Sequence, residues 1–206
     1  MSGNNTSGWA NPAPAGLVAL AVAEILFFAI TGGWVPSTAA PILACWMLGG
    51  FIVQVIVAVI ELREGALLGG NVFTIFAAMF MLVGAVKFYF IYFAGLNGWP
   101  IDTLADGYAW LVLAFALIAF TPAYLKESAG LFGVFILIID VGLLILAGID
   151  LHILPHDPFQ SIFSWMCLAN TIIPLYLVAA IVTNTSYGRV ILPVGGPIIK
   201  VKAKTE

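Results

Sequence analysis

A chain of 206 residues that is 63% apolar and 8% charged, with a mean hydropathy of +1.12, is not the sequence of a soluble domain. Soluble domains carry roughly a quarter charged residues, and a protein of this size could not hide so much apolar surface from water. The net charge of −3 is too small to point to a charged partner, and no nucleic acid is implied. At about 20 residues per span, the length suits about six transmembrane helices with short loops, so residues 1–206 are expected to form a single all-α, polytopic membrane domain.

Met1 to Gly8 is polar and uncharged and lacks the basic stretch that precedes a cleavable signal, so the first helix is expected to be a permanent anchor. Apolar runs separated by clusters of Gly, Pro, Asp and Asn place helices 1 to 6 at about Pro14–Trp34, Ala39–Ile60, Leu67–Ala94, Tyr108–Tyr124, Ala129–Asp150 and Phe159–Val182, with a tail over 183–206. Helix 1 opens with a capping side chain, Asn11, and with Pro12 and Pro14 in its first turn, which leaves free amides that attract anions. On helix 2, Gln54 and Glu61 are seven apart and share a face, although Glu61 also reads as a charged helix end beside Arg63 and Glu64. Helix 3 is longer than a bilayer requires, and Gly69-Gly70-Asn71 interrupts its start. This predicts either a broken helix whose positive end faces an anionic solute, or a helix packed closely at its glycines. Asn170, Thr171 and Pro174 interrupt helix 6, where Asn170 suits an interhelical hydrogen bond.

Charged groups at depth are costly and mark pathways or pairs. Glu24 and Asp140 lie near the middle of helices 1 and 5 and are too short to reach an interface, so each is protonated, paired or facing water; the plain alternative is a neutral carboxyl bonded between helices. Lys87, two-thirds along helix 3, either snorkels to the outer interface or pairs with Glu24 or Asp140. The remaining basic residues, Arg63, Lys126, Arg189, Lys200, Lys202 and Lys204, fall on the side of the termini, while Asp102, Asp106, Asp150 and Asp157 fall opposite, which predicts cytoplasmic termini. Gly49-Gly50, Gly130 with Gly133, and Gly142 with Gly148 suit close helix contacts, within or between protomers. Cys45 and Cys167 read as small core residues. His152 and His156 stand in an outer loop, with no metal-ligand cluster, phosphate-binding loop or nucleophile elbow. No enzyme, metal or cofactor is expected.

The opening Asn11-Pro12-Ala13-Pro14-Ala15-Gly16-Leu17 closely resembles the helix 1 signature of the acetate uptake transporter family. Gln54 and Glu61 followed by Gly65, Gly69 and Phe73-Thr74 resemble its helix 2 to helix 3 segment, and Tyr187 to Gly195 resembles its C-terminal signature. The resemblance implies a six-helix protomer in a homo-hexamer of the bacterial or archaeal cytoplasmic membrane. Each protomer would pass acetate and related monocarboxylates, in some members succinate, as a channel or a proton-linked transporter. It places a hydrophobic constriction at Leu20, Phe76 and Ile138; the two helix starts themselves offer solute contacts at Asn11, Gly69, Gly70 and Asn71, with Thr74 as a further candidate beside them. Glu24, one turn from Leu20, then becomes the candidate for proton coupling, with Gln54, Glu61, Asp140 and Lys87 as further polar groups of the pathway or packing. The chain departs from the family pattern in having Ala66-Leu67-Leu68 for Asn-Thr-Phe, Leu20 for Phe, and charges at 24 and 140. Competing readings are a urea or amide channel of similar plan and a structural or sensory membrane protein without flux.

Overall fold

The computed structural model describes residues 8–200. Among these, six helices are long and apolar enough to cross a membrane: α1 (Ala13–Thr31), α2 (Ala40–Arg63, preceded by a 3₁₀ turn), α3 (Leu67–Asn97), α4 (Leu104–Glu127), α5 (Gly130–Asp150) and α6 (His156–Tyr187). The all-α, six-span architecture expected from composition is the one the chain has. Lys202 and Lys204, counted in the charge asymmetry, lie outside the described residues, as does the polar stretch before Gly8.

Six alternating crossings bring residues 8–13 and 187–200 to one face of the bundle, here called the terminal face. α5 is the central helix, with 61% of its apolar window buried against 28–39% in the others, so α5 is surrounded by protein and the rest each keep an outward face. On α2 that outward face is Ile42, Trp46, Ile52, Ile56 and Val59, all exposed and all large and apolar. A stripe of that kind is stable only against lipid or another apolar surface.

α1 packs along α6, where the polar residues of α6 cap carbonyls of α1. Gln160 Nε2 donates to Thr31 O (3.0 Å), Ser164 Oγ to Phe28 O (3.0 Å) and Thr171 Oγ1 to Ala21 O (3.5 Å). The interhelical bond expected of Asn170 is therefore made by its neighbour Thr171, and Asn170 Oδ1 is buried with no partner among the described residues. Cys167 is buried as expected, whereas Cys45 is exposed and sits 2.8 Å from the Tyr89 hydroxyl of α3.

The interruption in helix 3 is not at its glycine pair. Leu67–Ile75 is regular α-helix through Gly69 and Gly70, and the irregular part is a π segment, Phe76–Leu82, after which α-geometry resumes over Val83–Asn97. A π turn absorbs one extra residue. Across it Phe88 returns to the face of Phe76, while Lys87 swings about a quarter turn off that face, at 100° per residue. Lys87 consequently forms its ion pair with Asp106 of α4, not with Glu24 or Asp140, its ammonium 5.2 Å from the Trp110 ring centroid.

Beyond α6 the tail returns as a strap over the α4–α5 corner. Asn184 holds it through three bonds: its Oδ1 accepts from Ile191 N (2.7 Å) and Leu192 N (2.9 Å), and its Nδ2 donates to Leu192 O (2.8 Å). Tyr176 donates to Pro193 O, Leu131 N to Val194 O and Ile199 N to Leu125 O. The strap lies so close to α5 that a Cβ on Gly130 would stand 2.7 Å from Gly196 O, a contact with rigid backbone that leaves glycine as the residue that fits.

Candidate solute cavity

A cavity of about 740 Å³ opens at the terminal face between α1, α2, α3, α4 and α5, with Ile181 of α6 also in its wall. Its mouth is polar, lined by Asn11, Glu61, Glu64, Tyr124, Glu127 and Ser128. Going inward, the lining ends on every long wall at about one depth: Leu20 on α1, Gln54 on α2, Phe76 on α3, Leu117 on α4 and Ile139 on α5. From Ala13 to Leu20 that is roughly 10 Å along α1 at 1.5 Å per residue. No Lys, Arg or His is among the lining residues. Arg63, at the nearby end of α2, stands over the Trp9 ring, 5.4 Å from its centroid.

Past this depth the protein is closed by aromatic side chains. Phe76 meets Phe80 (5.6 Å between centroids), Phe80 stacks on Phe27 (5.3 Å) and meets Trp110 (6.3 Å), and Phe27 meets Phe88 (5.4 Å). A second void that shares Val72, Phe76 and Leu117 with the cavity measures about 10 Å³, room for about one water. The chain thus forms a wide, half-polar vestibule that ends at an apolar neck and an aromatic block.

The structure brings together some of the expected residues and separates others. Leu20 and Phe76 meet at the cavity's inner end, but Ile138 does not line it; Ile139 does, because an unanchored register on α5 is one residue off and one residue is 100°. Asn11 and Gly69 line the cavity, and Asn11 Oδ1 accepts from Ala13 N (3.0 Å), which starts α1 as its capping role predicts. Gly70 is packed under Leu62, and Asn71 and Thr74 turn back onto their own helix, donating to Leu67 O (2.8 Å) and Gly70 O (2.7 Å). None of these three lines the cavity. The i−4 carbonyl is the nearest acceptor for such side chains on an outward helix face, and it satisfies them there.

Glu24 is buried but is absent from the cavity wall; its carboxyl lies against the Cys167 thiol of α6, because a four-residue step carries it 40° round α1 towards that helix. Asp140 faces α4, where its Oδ2 accepts from Thr121 Oγ1 (2.6 Å). Gln54 and Glu61 do share the cavity face: Gln54 is fully buried, with Nε2 3.5 Å from Gly16 O and Oε1 without a partner among the described residues. Sequence reasoning missed Tyr124 and Glu127 at the mouth, and Phe27, Phe80, Phe88 and Trp110 in the block. The spacing of Phe76 and Phe80, one helical turn apart, was the available signal for part of it.

No family model matches the chain, and neither does any curated protein. Among solved structures, the chain is similar in fold to a bacterial acetate channel, SatP, with a TM-score of 0.77 and 20% identity, over 91% of this chain and 99% of that one. At that identity the likeness is one of fold.

Proposed function

We propose that the protein conducts acetate and related short monocarboxylates across a cytoplasmic membrane, each protomer of a homo-hexamer having its own pathway through the cavity and the neck at Leu20, Phe76 and Ile139. The observation that carries this reading is the vestibule that narrows to an apolar neck, set in a fold shared with an acetate channel. The motifs at Asn11–Leu17 and Tyr187–Gly195 support placing the chain in the acetate uptake transporter family. The lack of any cation among the described lining residues favours passage of the solute without net charge, since a bare anion at an apolar neck would meet both desolvation and the field of Glu61, Glu64 and Glu127. The same feature would suit a neutral amide. Flux of labelled acetate and labelled urea into proteoliposomes, against empty vesicles, decides: acetate alone is the expected solute, urea alone would establish the amide reading, and neither would leave a protein without flux.

Both termini are assigned to the cytoplasm. Four described basic residues, Arg63, Lys126, Arg189 and Lys200, sit at the terminal face, and Asp102 and Asp157 lie at the opposite one. In right-side-out cells an impermeant thiol reagent should label Asp102→Cys and spare Thr185→Cys. The reverse pattern would put the vestibule outside.

A further inference from the structure

The first turn of α3 is an unused set of donors facing the vestibule. Gly70 N bonds Ala66 O, but the N–H groups of Leu67, Leu68 and Gly69 have no acceptor among the described residues, and Ala66 supplies no side-chain cap. Against this turn lies Glu61. Its side chain is nine-tenths buried, borders the cavity and makes no hydrogen bond among the described residues; a Cβ at Gly69 would come 2.9 Å from its Cδ and overlap one of its carboxyl oxygens, Oε2. Glycine at 69 is what allows a carboxyl to approach the turn so closely. The groups that face Glu61 are Tyr124 and Glu127 from α4 and Glu64 from its own helix end, with no cation among the lining residues.

Resting on the monocarboxylate reading above, we propose that the first turn of α3 and the Glu61 carboxyl together bind the carboxyl group of the solute, which shares a single proton with Glu61. Free backbone N–H groups at a helix start donate to an anionic oxygen. Two carboxyls within hydrogen-bonding distance cannot both stay ionised without a cation between them, so they hold one proton in common. The solute's alkyl end then points to Leu17 and Phe73, the apolar residues next inward. Such a site admits the carboxylate together with a proton and delivers it to the neck as a neutral pair.

The test is calorimetric binding of acetate to the purified full chain in detergent between pH 6 and 8.5, where acetate itself stays ionised, so that any pH dependence belongs to the protein. Wild type should lose at least tenfold in affinity across this range, and Glu61→Gln should be flat. Asp102→Asn, at the opposite face of the bundle and outside the cavity, should keep the wild-type profile. Leu67→Pro removes one donor at a position where proline is compatible with a helix start, and should weaken binding severalfold at every pH. A flat wild type, or a Glu61→Gln profile as steep as wild type, overturns the proposal, as does unchanged affinity in Leu67→Pro. Binding with the expected profile but without flux in vesicles would uphold the site and remove the transport reading. Flux without the profile would do the opposite.

Discussion

Leu20→Ala should raise acetate flux about tenfold, the equivalent of about 1.4 kcal/mol off the barrier at the neck. Leu20 and Phe76 are both buried where the cavity ends, and the rings of Phe27, Phe80 and Trp110 close the protein beyond them. A barrier of this kind is made of width and dewetting, and trimming a side chain lowers both. Truncating a core leucine costs about 2–5 kcal/mol, towards the lower end where the residue already borders open space. A folded variant is therefore expected, to be checked by its elution profile before flux is measured. The pair Ile139→Ala and Ile138→Ala tests the register: the first should behave like Leu20→Ala and the second like wild type. Equal effects from the two, or unchanged flux in Leu20→Ala, would move the constriction elsewhere.

Asn184→Ala should release the strap. Three hydrogen bonds disappear with one side chain, each worth about 0.5–1.5 kcal/mol net, and the strap's other anchors lie farther along. Partial solvation of Ile191 and Leu192 compensates some of this, so a loss of about 1–3 kcal/mol is expected, read as a fall of roughly 3–8 °C in the unfolding temperature. Limited proteolysis should then cut within residues 190–199 while the six spans stay intact. Asn184→Asp keeps the acceptor for both N–H groups and should fall between the two. A protease-resistant Asn184→Ala tail would show that the strap is held by Tyr176, Leu131 and Ile199 alone.

Composition made the six crossings legible, because nothing but a bilayer accepts so apolar a chain; the ends of the helices were less so. Helix α4 begins at Leu104 and α6 runs from His156 to Tyr187, longer than the apolar runs in them, since polar turns outside the hydrocarbon keep helical geometry without an apolar signal. In the cavity, Leu20, Phe76, Gln54 and Glu61 were reachable because motifs and a seven-residue spacing fix their faces. Ile138 was not, for want of an anchor on α5. The partner of Lys87 was hidden by the π segment, since face arithmetic along helix 3 assumes 3.6 residues per turn throughout. Glu24 was placed beside Leu20 by spacing alone, but which neighbour a side chain meets depends on where the next helix stands, and α6 was invisible to that count.

The strap also sets an order of events during synthesis. The bonds that fasten Gly130 and Leu131 at the α4–α5 corner come from Val194 and Gly195, so the ribosome reaches them only after α5 and α6 have emerged. At about 5–20 residues per second, the corner waits several seconds for its latch. Throughout that time the end of α4 that carries Glu127, and Ser128 after it, stand on the rim of the vestibule without the strap's contacts. The entrance to the solute cavity is thus among the last parts of the molecule to take its final shape, after every span that encloses it has been made.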